Sequence, residues 1–186
     1  MARVAVLGAG VMGTAMTIPL ADNGNEVRLI GTHLDDEIID QIRTSQRHPR
    51  LRMLVPDTVQ PYQLNRLKEA LEGVDLLILG VNSQGIKWAA DTLGPIISPN
   101  TPLVMIAKGL VGENNRLRIL PDAFRGWLPK SIRNNLQIAA VGGPSIAGEL
   151  ADRQHTCIVI SGSKGENLEK FAEILRTPYY PYLDQH

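Results

Sequence analysis

Apolar residues along the chain follow two rhythms. Short continuous runs such as Leu76-Leu77-Ile78-Leu79 alternate with longer stretches in which apolar positions recur every three or four residues. The continuous runs predict strands at Arg3–Leu7, Glu26–Ile30, Asp75–Val81, Leu103–Ala107, Leu136–Val141 and Thr156–Ser161. The helical rhythm predicts helices at Met12–Asn23, Asp35–Thr44, Gln63–Glu72, Gln84–Leu93, Asn115–Trp127, Ser145–Asp152 and Lys164–Arg176. Strands with no polar face belong in a parallel sheet covered on both sides. Strand–helix alternation therefore predicts a doubly wound α/β fold: a mostly parallel sheet, helices on both faces and right-handed crossovers.

Two stretches interrupt the rhythm. Pro19 falls within the first helix, where it removes a backbone donor and predicts a kink or an early end. Gln46–Pro61 holds three prolines and no period, which predicts an irregular surface excursion.

The chain of 186 residues is long enough for one well-buried domain. Its formal net charge of zero argues against a nucleic-acid binder. The local cluster Arg43, Arg47, His48, Arg50 and Arg52 reads as a solvated loop. One cysteine, Cys157, excludes an internal disulfide framework; its apolar run Cys157-Ile158-Val159-Ile160 reads as core. The first strand begins too soon to leave room for a secretion signal, and no apolar run approaches the ~20 residues of a membrane span. These features predict a cytoplasmic chain without membrane insertion. No metal site is expected.

Gly8-Ala9-Gly10-Val11-Met12-Gly13 gains meaning from its setting between a strand and a helix, with a second strand ending about twenty residues later. Gly8 permits a tight turn, Gly10 lets a pyrophosphate approach the backbone, and Gly13 lets the helix pack closely on the strand. The helix start offers unpaired N–H groups to phosphates. The sheet is then Rossmann-like, and residues 1–186 read as one NAD(P)-binding domain. The second strand ends in Ile30-Gly31-Thr32-His33, with no carboxylate until Asp35. An acid at that end would favour NAD; the neutral or mildly basic Thr32 and His33 do not repel a 2′-phosphate, so the strand end leans towards dual use of NAD and NADP or towards NADP.

Two later strand ends carry polar chemistry. Lys108, in Ala107-Lys108-Gly109-Leu110, projects beyond the carboxyl end of the fourth strand, where ligands of open α/β sheets lie. Gly142-Gly143-Pro144-Ser145-Ile146-Ala147-Gly148-Glu149 follows the next strand. Its small residues let a ligand reach backbone N–H groups, and Ser145 is placed to cap the following helix.

The opening GAGVMGTAM, with VNSQ (Val81–Gln84), AKGL (Ala107–Leu110) and GGPSIAGEL (Gly142–Leu150), resembles the NAD(P)-dependent glycerol-3-phosphate dehydrogenases in order and spacing across essentially the whole chain. The resemblance implies NAD or NADP as cofactor, held by residues that include Gly8, Gly10, Val11, Met12, Gly13, His33, Lys108 and Ala147. It implies that Lys108, Gly143 and Ser145 contact the substrate, dihydroxyacetone phosphate or glycerol 3-phosphate, in a route to phospholipids. Val11 and Met12 stand where the family often carries Ser or Asn followed by an aromatic residue.

In that family the proton donor is a lysine in a GALKN-like segment opening a C-terminal helical domain. The chain contains no such segment, so no catalytic residue is assigned and the isolated chain is expected to be inactive. The partner implied is that helical domain; a homodimer is admissible. A ketopantoate-reductase-like enzyme would differ after the fourth strand, where AKGL and GPSIAGE stand here. A nucleotide-sensing module without catalysis fits the missing lysine but leaves Lys108 and Ser145 without a task.

Overall fold

The computed structural model describes residues 1–113, 115–162 and 168–183. In chain order the elements are β1 (Arg3–Leu7), α1 (Val11–Asp22), β2 (Glu26–Ile30), α2 (Asp36–Ser45), β3 (Val59–Tyr62), α3 (Leu67–Ala70), β4 (Leu76–Leu79), α4 (Ile86–Leu93) and β5 (Leu103–Met105). They continue as β6 (Leu110–Glu113), β7 (Arg116–Ile119), α5 (Leu120–Trp127), α6 (Lys130–Arg133), β8 (Ile138–Gly142), α7 (Ala147–Ala151), β9 (Ile158–Gly162), α8 (Leu168–Leu175) and β10 (Tyr182–Leu183).

Eight strands form one sheet in the order β10-β9-β8-β5-β4-β1-β2-β3. Every neighbouring pair is parallel except β8 with β9. From β1 the chain winds outward to β2 and β3 on one side and to β4, β5 and β8 on the other. The switch of direction opens a crevice beyond the carboxyl ends of β1 and β4.

The continuous apolar runs serve two cores at once. Val4, Val6, Leu76, Ile78 and Val104 face one layer, while Ala5, Leu7, Leu77, Leu79 and Met105 face the other. Alternate side chains of a strand point to opposite faces, so a sheet covered twice needs apolar residues at every position.

Several elements depart from their sequence signals. Pro19 neither ends nor shortens the first helix, which runs on to Asp22; Asn23 N–H still closes the last turn on the Pro19 carbonyl, at 3.0 Å. Residues 115–119 are not helical. Arg116–Ile119 pairs antiparallel with Leu110–Glu113, and the helix starts only at Leu120, where Pro121 fits its first turn. Arg116-Leu117-Arg118-Ile119 alternates with period two, a strand signal hidden by the helical rhythm behind it. The excursion from Gln46 closes as a strand: Pro61 sits in β3, at the edge of the sheet, where the missing donor costs no ladder bond. Ser145 does not cap α7; Ile146 holds that position, without a side-chain cap. Of the predicted helix Lys164–Arg176, Lys164–Asn167 lie outside the described residues.

The end of α1 is fastened to the far side of the domain. Asn23 and Asn25 side-chain amides donate to the Ile174 carbonyl, each at 3.0 Å, satisfying a terminal acceptor of α8. Arg153 grips Asp22 in a fork, Nε to Oδ2 at 2.7 Å and Nη2 to Oδ1 at 2.8 Å, and the Tyr179 hydroxyl donates to the same carboxylate. Burial works against the charged Asp22, yet Arg153 and Tyr179 outweigh it and hold the carboxyl below its ordinary pKa of 3.8. Among the described residues, no helix is long and apolar enough to cross a membrane.

Candidate dinucleotide cleft and the adjoining strand ends

A cleft of about 710 Å3 occupies the switch point, with Gly8, Gly10, Val11 and Met12 as its floor. His33, Leu34, Trp88, Asn82 and Gln84 are among its walls. The His33 and Trp88 rings lie 5.1 Å apart, tilted by 54°. A flat, partly apolar group entering between β2 and α4 would meet this pair.

The three motif glycines differ in what surrounds them. Gly8 has φ +113°, and a Cβ there would stand 2.8 Å from the Gly80 carbonyl carbon. A Cβ on Gly13 would lie 2.0 Å from the Gly8 carbonyl oxygen, an impossible contact. Gly80 closes the group: its Cβ would meet Gly13 Cα at 2.9 Å. Close approach of α1 to β1 and β4 therefore requires Gly8, Gly13 and Gly80 together. Nothing lies within 4 Å of a Cβ built on Gly10. That space opens on the cleft at the N-cap of α1, where the first-turn N–H groups would be offered to a pyrophosphate. The residues present thus fit a dinucleotide.

Two buried side chains support this turn. The Asp35 Oδ2 accepts from Ala9 N–H at 3.1 Å, Thr32 N–H at 2.8 Å and Thr32 Oγ1 at 2.8 Å. This oxygen of the carboxylate nearest the β2 end is thereby committed to protein donors, although Asp35 also borders the cleft. His48, 2% exposed, places Nε2 at 3.2 Å from the Ala9 carbonyl, while Nδ1 accepts from Arg50 N–H at 3.1 Å. The basic cluster divides: Arg43 pairs with Asp40 at 2.7 Å, and Arg47, Arg50 and Arg52 are exposed, but His48 belongs to the core. Neither Asp35, His48 nor Gly80 stood out in the sequence as a support of the turn. A lone histidine between arginines and a glycine after an apolar strand carry no period; only the fold brings them to Ala9 and Gly13.

Lys108, Gly143, Ser145 and Ala147 lie to the other side, past the ends of β5 and β8, and none lines the main cleft. Lys108 Nζ donates to the Gly143 carbonyl at 2.9 Å, so these two meet. Gly143 has φ +124°, and a Cβ would lie 2.7 Å from the Cys157 carbonyl oxygen, which makes glycine obligatory there. Cys157 itself is half-buried rather than core. Ser145 Oγ is shielded from solvent beside the Tyr180 phenol, without a hydrogen bond of good geometry. Ala147 opens α7, which packs on α1. The residues of this second group supply a cation, a hydroxyl and carbonyls, a polar set suited to a small oxygen-rich molecule.

The profile of the family described as "NAD-dependent glycerol-3-phosphate dehydrogenase N-terminus" matches residues 3–168. The NADP(+)-dependent glycerol-3-phosphate dehydrogenase of Archaeoglobus fulgidus is 35% identical over 178 residues, covering 95% of this chain and 51% of the relative. The glycerol-3-phosphate dehydrogenase [NAD(P)+] of Frankia casuarinae is 32% identical, covering 99% and 53%. Among solved structures, a glycerol-3-phosphate dehydrogenase of Plasmodium falciparum aligns with TM-score 0.83 at 19% identity, over 98% of this chain and 52% of that one. A glycerol-3-phosphate dehydrogenase of Coxiella burnetii aligns at 0.82 and 24%, over 97% and 53%. The chain spans about half the length of the curated relatives it matches.

Proposed function

Since the chain belongs to the NAD-dependent glycerol-3-phosphate dehydrogenase family, we propose that it is the cofactor-holding half of an enzyme interconverting dihydroxyacetone phosphate and glycerol 3-phosphate. The observation that carries this is the open space at Gly10, set in a glycine turn that packing requires on either side. The bound nicotinamide supplies the hydride. Gly10 and the start of α1 hold the pyrophosphate, Val11 and Met12 floor the cleft, and His33 with Trp88 walls its adenosine end.

Lys108, Gly143 and Ser145 receive the substrate, and Ala147 borders the cofactor near them. Lys108 brings a positive charge towards a carbonyl or phosphate oxygen. The second half that relatives carry closes this end, brings the proton donor and excludes water. The reaction is that of a soluble dehydrogenase working in the cytoplasm. Calorimetric titration with NADH and NADPH tests the reading: saturable one-to-one binding of either supports it, and no binding of both refutes it.

A further inference from the structure

Ala9, fully buried, is the residue of the glycine turn most tied to the rest of the protein. Its N–H donates to Asp35, from the β2–α2 connection. Its carbonyl accepts from Thr14 Oγ1 at 3.1 Å and faces His48 Nε2, from the excursion after α2. The two ring nitrogens of His48 settle its tautomer. Because Nδ1 accepts from Arg50 N–H, the proton resides on Nε2, which donates to Ala9. A trans peptide points its C=O and N–H in opposite directions. Drawing the Ala9 carbonyl inward therefore turns the Gly10 N–H outward, to the side where Gly10 lines the cleft.

We propose that His48, in its neutral form, is a positioning residue for the dinucleotide: it holds the Ala9–Gly10 peptide so that the Gly10 N–H faces the pyrophosphate. This rests on the dinucleotide binding proposed above. His48 does not line the cleft, so it acts through the peptide and not by touching the ligand. Protonation would convert Nδ1 to a donor facing the Arg50 N–H and place a charge in a buried site. Burial already pushes the imidazole below its ordinary 6.5, the Ala9 hydrogen bond opposes this, Arg50 lowers it further and Asp35 raises it. A lowered folded pKa means that the support is complete above 6.5 and is lost as pH falls through the folded value.

The test is NAD+ affinity by calorimetry from about pH 8 down to the acid limit of the folded state, with folding checked by circular dichroism at each point. Wild type is expected to lose affinity by about three- to tenfold towards acid, the size of one hydrogen bond. His48→Gln keeps a donor of similar reach but cannot titrate; it should bind like wild type at high pH and stay flat. His48→Phe should bind about three- to tenfold more weakly throughout, also without a pH step. If His48→Phe does not fold, the wild-type and His48→Gln profiles decide alone. Equal acid loss in wild type and His48→Gln, or full affinity in folded His48→Phe, overturns the proposal. Absence of NAD+ binding by wild type at every pH would instead overturn the dinucleotide reading on which it stands.

Discussion

The two ends of the ligand-facing edge are finished to different degrees. Around the glycine turn, the polar groups near Ala9 have partners and the glycines interlock. Around Lys108 the surface reads the other way. The β6–β7 hairpin turns Leu110, Leu117 and Ile119 outward, at 59%, 74% and 50% exposure, and Ile146 beside Ser145 is 58% exposed. Its inner face carries charge: Arg118 Nη1 meets Glu113 Oε2 at 2.9 Å, and Trp127 Nε1 donates to Glu113 Oε1 at 3.0 Å. A hairpin in contact with water normally buries its apolar face and exposes the polar one. The hairpin inverts that arrangement, and it flanks the end where Ser145 lacks a well-formed partner. Under the proposed function, the dinucleotide end is complete within this chain, and the substrate end takes a second wall from the rest of the enzyme.

The largest effect should appear when that wall is supplied. These 186 residues alone should turn over dihydroxyacetone phosphate negligibly with either nicotinamide. Fusion to the second half of the Archaeoglobus relative should restore turnover, since general acid help alone is worth about 10²–10⁴-fold and positioning adds more. Lys108→Met in the fusion should then remove most of it. Steady-state absorbance at the nicotinamide band measures all three proteins. Robust turnover by the short chain would place the proton donor inside it and erase the contrast between the two ends.

Next comes a contrast inside the glycine turn. Gly10→Val fills free space where the pyrophosphate belongs, so cofactor affinity should fall at least about a hundredfold, roughly 2.7 kcal/mol, with the melting curve nearly unchanged. Gly13→Val drives a side chain into the Gly8 carbonyl and should cost folding itself. Calorimetry and thermal denaturation on both variants separate the outcomes. Equal affinity of Gly10→Val and wild type would move the cofactor away from this turn.

Much of this was legible in the sequence because it is local. Strand identity came from apolar runs such as Leu76–Leu79, and the glycine turn from its place between β1 and α1. What escaped depends on distant parts of the chain. Pro61 reads as a breaker until β3 is seen to lie at the sheet edge. Asp35 reads only as the first acid past the strand end until its Oδ2 is found bound to Ala9 and Thr32. His48 reads as one member of a basic surface cluster until the loop folds it under the turn. Arg116–Ile119 was lost to a helix because four alternating residues weigh little beside a longer period.

A smaller effect concerns cofactor choice at the end of β2. The sequence alone directs an acidic substitution to Thr32, but Thr32 is 7% exposed and its hydroxyl and N–H both serve Asp35. An acid there would disturb the turn's support as well as the ligand. His33 lines the cleft and makes the better probe. With Asp35 Oδ2 already engaged by Ala9 and Thr32, wild type should bind NADH and NADPH within about tenfold of each other. His33→Glu should shift the ratio towards NADH by about tenfold, because a carboxylate near a 2′-phosphate is a like-charge contact. Paired titrations read the ratio directly; a strong preference for NADH in wild type would overturn the reading of this strand end.

The smallest effect tests the fastening of α1 to the far side of the domain, away from both ligand ends. Arg153→Gln removes the fork on Asp22 and leaves Tyr179 in place. The pair is partly exposed, at 41% and 26% for the two side chains, so the cost should be about 1 kcal/mol rather than the several expected of a buried pair. Its pH dependence has a definite sign. The Asp22 carboxyl is held below 3.8 in the folded chain, so the pair stabilises fully above that value and fades as pH falls through the lowered one. Urea midpoints should therefore differ between wild type and variant at neutral pH and converge as pH falls through the lowered Asp22 value. Cofactor affinity at neutral pH should be the same in both, because the pair touches neither the glycine turn nor the walls of the cleft. A large loss of affinity in Arg153→Gln would mean that the far end of α1 helps to set its N-terminus, and that the completeness of the dinucleotide end extends along the whole helix.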